Sequence, residues 1–441
     1  MTPAVLGLIV LAVVILFYVT EWLPIAVTTV LACCALTWLQ VQPFSVNFSG
    51  FANDTVWLVT GMIMVGAALF ETGAADLIGK SIIKVIGASE TKLVVIVYPL
   101  AMVMSAFLNN SATTSTFMPI IQAIAAKSDG KVSAKKMLMP LAWSATAGGM
   151  LTLIGSTPPV LIHGVMVANK LPTFGFFEWG YATPPVAIIM IGYILTVYQK
   201  MATKMWKDEI EAEAQKSKSH ADMNVNVSEK VYPKGPMYTS FAILALCILG
   251  FILQPTFGAS AFGKGYNFGL GLVAITGAML CIVFKTMTVK RLYELNDWNS
   301  FFVLAGAIGY AAALDKCGSG KLIADFAVKY VGHSSPFIIF ATFTLVGMVL
   351  TQLMSNTATA AMMGPIGIFI ANGLGFSPLP LMMALAASCA AAFMTPVGTP
   401  PNTIVLGAGN YRFMDYMKLG GIVQLISFVV IVALVPMIWP L

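Results

Sequence analysis

Two short polar clusters sit inside apolar sequence and nearly repeat each other. Residues 109–119 read NNSATTSTFMP, and residues 355–365 read SNTATAAMMGP. A second matched pair follows, GSTPP at 155–159 and GTPP at 398–401. Asn109, Asn110, Ser111, Thr113 and Thr114 gather in the first cluster; Ser355, Asn356, Thr357 and Thr359 gather in the second. Amides and hydroxyls bind, but without a neighbouring base they do not attack. No HExxH, no paired Asp cluster and no plausible Ser/His/Asp set falls in the apolar segments, which argues against an enzyme. No Arg lies in a predicted span; His163 follows GSTPPVLI, and Glu21 sits in a short turn. Proton relays normally use intramembrane Asp, Glu or His, so coupling through a core carboxylate is disfavoured.

What remains is amides, hydroxyls and backbone. Helices starting at such clusters direct N–H groups and positive dipole ends to the membrane midplane, which suits an anion. Loop carbonyls with Asn and Ser/Thr oxygens suit a hard cation such as sodium, which would supply the positive charge that missing Arg and Lys do not. Gly155, Thr157, Pro158 and Pro159, with Gly398, Thr399, Pro400 and Pro401, reach the same depth. There proline frees carbonyls and stops the helix from continuing. Polar backbone in a bilayer is tolerated only where protein or a water-filled cavity satisfies it. Two such pairs, one per half, point to a transporter built from repeats with its site between them.

These clusters need long apolar elements to hold them. The chain is 58% hydrophobic and 10% charged, with mean hydropathy +0.87, against roughly 25% charged in soluble domains. The composition implies an all-α polytopic membrane protein, and no dyad alternation suggests a barrel. Residues 3–20 lack a basic flank and a small-residue cleavage site, and read as a retained span. Cys33, Cys34, Cys247, Cys281, Cys317 and Cys389 form no CxxC pair and read as core residues. The net charge of +6 fits cytoplasmic loops and does not indicate nucleic acid.

The repeat extends beyond the clusters. ALFETGAADLIGK (68–80) aligns with ALDKCGSGKLIAD (313–325) at an offset of 245. The first half, 1–199, is expected to have spans near 3–20, 22–39 and 55–71, an amphipathic segment at 74–88 and a hairpin at 91–126. A broken span at 137–168 and a last span at 181–199 complete it. The second half, 237–441, repeats this with spans near 237–254, 266–284 and 300–314, and an amphipathic segment at 318–332. Its hairpin is 336–371, its broken span 378–408 and its last span 416–439. Both amphipathic segments read as interfacial helices. Residues 200–236 form a polar linker with seven Lys and six acids; KMWKDEIEAEAQK reads as a surface helix with i,i+4 pairs, and its role as connection. If both hairpins are re-entrant, each half has five spans and the halves are inverted. Nineteen of the twenty-four Lys and Arg then share one side, and Lys170, Lys264, Lys316, Lys321 and Lys329 lie on the other. This places the linker in the cytoplasm and both termini outside.

These motifs resemble the divalent-anion/sodium symporter family of the ion transporter superfamily. Its mark is an SNT tripeptide at each hairpin tip followed by a TPP-type break. Ser355-Asn356-Thr357 matches outright, and GTPPN with Asn402 also matches. Asn109-Asn110-Ser111 is a variant sharing only the central Asn, and Val160 replaces the last Asn of the first half. The family commonly carries one more N-terminal span, for which these residues show no counterpart. The resemblance implies a homodimer in the cell inner (cytoplasmic) membrane, working as an elevator and importing dicarboxylate, citrate or sulfate with sodium. By position, one sodium site would use Ser105, Asn110 and Gly155, and the other Thr351, Asn356 and Gly398. The small anionic substrate would lie between Asn109–Ser111 and Ser355–Thr357, near Thr157, Thr399 and Pro400. An arsenite-type permease or a sodium/proton antiporter of the same superfamily is the alternative; a channel would show conductance without coupling.

Overall fold

Residues 2–20, 22–73, 89–219, 233–261, 269–331 and 333–441 are described in the computed structural model. Among them every regular element is a helix. Apart from α-helical segments in the linker and at 319–331, the helices are apolar around most of their circumference, as membrane-buried helices are. They start where the sequence offers caps. Asn53 accepts from Thr55 N at the head of α3, Ser133 caps α6, and Ser335 and Ser377 cap α14 and α16, each with proline next.

The first half runs α1 (Pro3–Thr20), α2 (Ile25–Trp38), α3 (Asp54–Glu71), α4 (Tyr98–Ser105), α5 (Asn110–Ala126), α6 (Ala134–Gly148), α7 (Thr157–Ala168) and α8 (Thr183–Tyr193). Helix α9 (Lys207–Ser219) belongs to the linker. The second half runs α10 (Lys234–Ala261), α11 (Leu270–Val283), α12 (Trp298–Lys316), α13 (Ser319–Val331), α14 (Pro336–Leu353), α15 (Asn356–Leu374), α16 (Pro378–Ala390), α17 (Pro400–Ala408) and α18 (Phe413–Ile438). Helix interruptions fall between α4 and α5, α6 and α7, α14 and α15, and α16 and α17, at the positions expected for the hairpins and broken spans.

Seven described helices are long and apolar enough to cross a membrane, or eight if α12 and α13, bent by 75°, count as one span. Four shorter apolar helices, α2, α7, α11 and α16, fall below that length. The division into five spans per half counts these short helices as spans. Helix α13 matches the amphipathic segment expected at 318–332 and exposes Phe326 and Tyr330. Its expected counterpart at 74–88 lies outside the described residues. The outer surface is apolar: α1 alone exposes Val5, Ile9, Val13, Leu16 and Val19, a face suited to lipid.

Two packed groups meet at the site. In one, α3 crosses α11 and α2 crosses α12 at small residues. A Cβ at Gly61 would lie 2.4 Å from the Ala274 carbonyl carbon, and one at Gly306 2.8 Å from the Thr29 methyl. The other group holds the hairpins, the breaks and α18. Lys135 joins its two breaks: its Nζ donates to Asn410 O at 2.9 Å and lies 5.4 Å from the Trp206 ring and 5.8 Å from the Tyr411 ring. The linker does more than connect. It begins helical, as Gln199–Met205 continues the preceding span, and α9 returns to the head of α6. There Glu213 accepts from Ser133 Oγ at 2.6 Å and Ala134 N at 2.8 Å. Glu90 accepts from Ser133 N at 3.1 Å and pairs with Lys136 at 2.7 Å. Two carboxylates thus meet a helix N-terminus, where the dipole favours them.

Candidate functional site

Both tips are built by caps. Asn109 Oδ1 accepts from Ser111 N at 2.8 Å and starts α5; Ser355 Oγ accepts from Ala358 N at 3.1 Å and starts α15. The next residue, Asn110 or Asn356, turns its amide back toward the preceding arm. Thr351 Oγ1 lies 2.6 Å from Asn356 Oδ1 and 3.0 Å from Cys389 O. With its amide oriented to satisfy its neighbours, Asn110 Nδ2 lies 2.6 Å from Ser105 Oγ and donates to Gly155 O at 3.0 Å and Ala145 O at 3.2 Å. Gly149 makes room for that amide, because a Cβ there would lie 2.5 Å from it. At the second tip a Cβ on Gly398 would lie 3.0 Å from Thr351 O. The fold therefore brings Ser105, Asn110 and Gly155 together, and likewise Thr351, Asn356 and Gly398. Each set offers a hydroxyl, an amide and a backbone carbonyl, which suit a hard monovalent cation once the amide presents its oxygen. No group of three or more His, Cys, Asp or Glu suited to a metal occurs among the described residues.

The breaks expose backbone groups that side chains satisfy. In the second, Gln424 Oε1 accepts from Phe393 N at 3.0 Å, and its Nε2 donates to Ala391 O at 2.6 Å. Gln352 Nε2 donates to Gln424 Oε1 at 3.2 Å, and Gln352 Oε1 accepts from Met394 N at 3.3 Å. Asn402 Nδ2 donates to Thr395 O at 2.8 Å and Ala392 O at 3.1 Å. In the first break, Thr152 Oγ1 donates to Ala106 O, Leu153 N to Phe176 O at 3.0 Å and Thr183 Oγ1 to Met150 O at 3.0 Å. One correspondence spans both halves: Thr395 Oγ1 donates to Gln352 O at 3.1 Å, as Thr152 does to Ala106.

Tips and breaks enclose a cavity of about 520 Å³. All nine expected substrate residues line it: Asn109, Asn110, Ser111, Thr157, Ser355, Asn356, Thr357, Thr399 and Pro400. Of the expected sodium residues, Asn110, Gly155, Asn356 and Gly398 line it; Ser105 and Thr351, fully buried, lie behind the tips. Helices α5, α7, α15 and α17 all begin at this cavity, so the positive dipole ends of both tips and both breaks converge there. Thr157 Oγ1 and Thr357 Oγ1 hydrogen-bond at 2.7 Å, joining the first break to the second tip.

The remaining lining comes from α2 and α3, with Ile25, Val59, Met62 and Ile63, and from the start of α12. There stand Asp297, Asn299, Ser300 and Val303, which sequence reasoning missed. The missed signal was a third repeat: Asn53-Asp54 heads α3 as Asn296-Asp297 heads α12. Ser156 was also missed; its Oγ makes no hydrogen bond among the described residues, and Ser156 lines the cavity.

The citrate transporter (CitMHS) family model matches residues 15–263 and 260–440. An uncharacterized transporter of Haemophilus influenzae is 26% identical, covering 98% of this chain and 91% of that protein. The sodium-dependent dicarboxylate transporter SdcS of Staphylococcus aureus is 24% identical, covering 96% of this chain and 84% of that protein. Among solved structures, the YdaH transporter of Alcanivorax borkumensis aligns with a TM-score of 0.60 at 16% identity, over 89% of this chain and 87% of that one. That likeness concerns the fold alone.

Proposed function

We propose that this chain, which belongs to the citrate transporter family, is a secondary carrier coupling sodium entry to uptake of a divalent anion. The cargo class is a C4-dicarboxylate, citrate or sulfate, and the membrane is the cytoplasmic one. The observation that carries the reading is the convergence of the helix N-termini of both tips and both breaks on a cavity lined by amides and hydroxyls, with no Lys, Arg or His in the lining among the described residues. An anion gains from the dipole ends but lacks a full counter-charge. The two hydroxyl–amide–carbonyl sets flanking the tips supply places for sodium, whose charge completes the match. Loading would then be cooperative, because each ion improves the field for the other.

The ordered recurrence of hairpin and break supports two inverted repeats, 1–199 and 237–441, joined by a cytoplasmic linker. The hairpins would be re-entrant, with their tips at midplane. In this reading the hairpins and breaks move as one body past α2, α3, α11 and α12, as an elevator, and the working unit is a homodimer. Helix α13 would act as an arm.

The test is uptake of labelled succinate, citrate and sulfate into proteoliposomes under an inward sodium gradient, repeated with potassium replacing sodium. Sodium-dependent accumulation of at least one is expected. Accumulation of none, or equal uptake in potassium, overturns the reading.

A further inference from the structure

We infer that Asp297 weakens binding of a multiply charged anion at the cytoplasmic face and so speeds its release there. The inference rests on the anion-symport reading and its membrane orientation. Among the described residues, Asp297 is the one ionisable side chain lining the cavity, and its charge has the sign of the cargo. It caps α12, accepting from Ser300 N at 3.1 Å and from Ser300 Oγ. The related position in the first half is occupied differently. Asn53 caps α3, and Asp54 accepts from Gly271 N at 3.0 Å and does not line the cavity. The carboxylate is therefore one-sided.

Asp297 follows the basic segment 285–291, so in the proposed orientation it stands at the cytoplasmic end of the cavity. It belongs to α12, in the group past which the tips would slide. Cargo would meet it only when the tips face the start of α12, as they do in this arrangement. A charge that acts in one state shifts only that state. Like charges separated across a small, partly desolvated cavity are incompletely screened, and a dianion feels twice the repulsion of a monoanion. The expected effect is a rise in KM at that face of about threefold to tenfold.

Asp297→Asn and Asp297→Ser remove the charge and keep an N-cap, so either serves if the other folds poorly. Asp297→Glu keeps the charge. KM for labelled citrate, succinate and sulfate would be measured in right-side-out and inside-out vesicles bearing the full chain. The two neutral variants should lower the cytoplasmic-face KM about threefold to tenfold and leave the other face unchanged, with Asp297→Glu close to the parent. Unchanged or raised KM at the cytoplasmic face in both neutral variants overturns the inference while parent transport upholds the symport reading. A raised sodium KM in both would also overturn it and make Asp297 a cation ligand. A parent that moves none of the three anions sinks the reading and the inference with it.

Discussion

Asn356 has two tasks that one truncation separates from folding. Its amide lies 2.6 Å from Thr351 Oγ1, and the residue lines the cavity at the head of α15. Ser355 carries the cap, so Asn356→Ala leaves the helix start intact. We expect that variant to elute as a folded protein, because Thr351 Oγ1 keeps Cys389 O as a partner, and to lose at least about tenfold in sodium-driven uptake, which corresponds to about 1.4 kcal/mol of lost binding. Near-normal uptake would remove Asn356 from the site. The first tip tests selectivity. Asn109 spends its Oδ1 on the cap and keeps Nδ2 beyond it, where Ser355 has only a hydroxyl. Asn109→Ser with Ser111→Thr should shift competition profiles toward carboxylates; an unchanged profile would show that this tip does not select cargo. The tips were legible because each polar cluster repeats inside an apolar run. Asp297 was not, because an acid just before a span reads as an ordinary N-cap. Gln352 and Gln424 were not, because lone amides in spans usually bond a neighbouring helix.

At the scale of elements, the breaks are stable only because side chains replace the missing helical partners. Gln424 reaches from α18 to hold Phe393 N and Ala391 O while accepting from Gln352. Gln424→Leu preserves bulk, strands Phe393 N and leaves Ala391 O with only the long bond from Gln352 Nε2 at 3.5 Å. We expect it to destabilise the folded protein by about 1–3 kcal/mol for each stranded group and to lower uptake. Thermal unfolding in detergent measures the first effect and proteoliposome uptake the second; a parent-like melting temperature would show that the second break holds itself. Helix positions were legible from apolar runs ended by Ser-Pro, Gly or polar clusters, and α3, α14 and α18 begin within a few residues of expectation. The role of α9 was not legible. Its charge pattern reads as a solvated helix, and nothing local to KMWKDEIEAEAQK announces that Glu213 caps a helix about eighty residues upstream.

For the whole molecule, the decisive question is whether the two packed groups move against each other. They touch where α7, which begins at the cavity, crosses α12. A Cβ built on Gly164 would lie 2.3 Å from Ile308 Cδ1. Nearby, Tyr310 Oη donates to Ala361 O at 2.8 Å, tying α12 to α15. A sliding carrier must exchange such contacts in every cycle, whereas a carrier that only opens and closes its hairpin tips can keep them. Gly164→Cys with Ile308→Cys places a bond across this seam, after Cys34 and Cys317, the two native cysteines not buried, are changed to Ser. Oxidation should cross-link the pair and stop sodium-driven uptake, and a reductant should restore it, with each single variant unaffected by oxidant. Parent-level uptake by the cross-linked protein would mean that α7 and α12 travel together. The seam between moving and fixed bodies would then have to lie elsewhere, and Asp297 would accompany the cargo through the whole cycle instead of meeting it at one face.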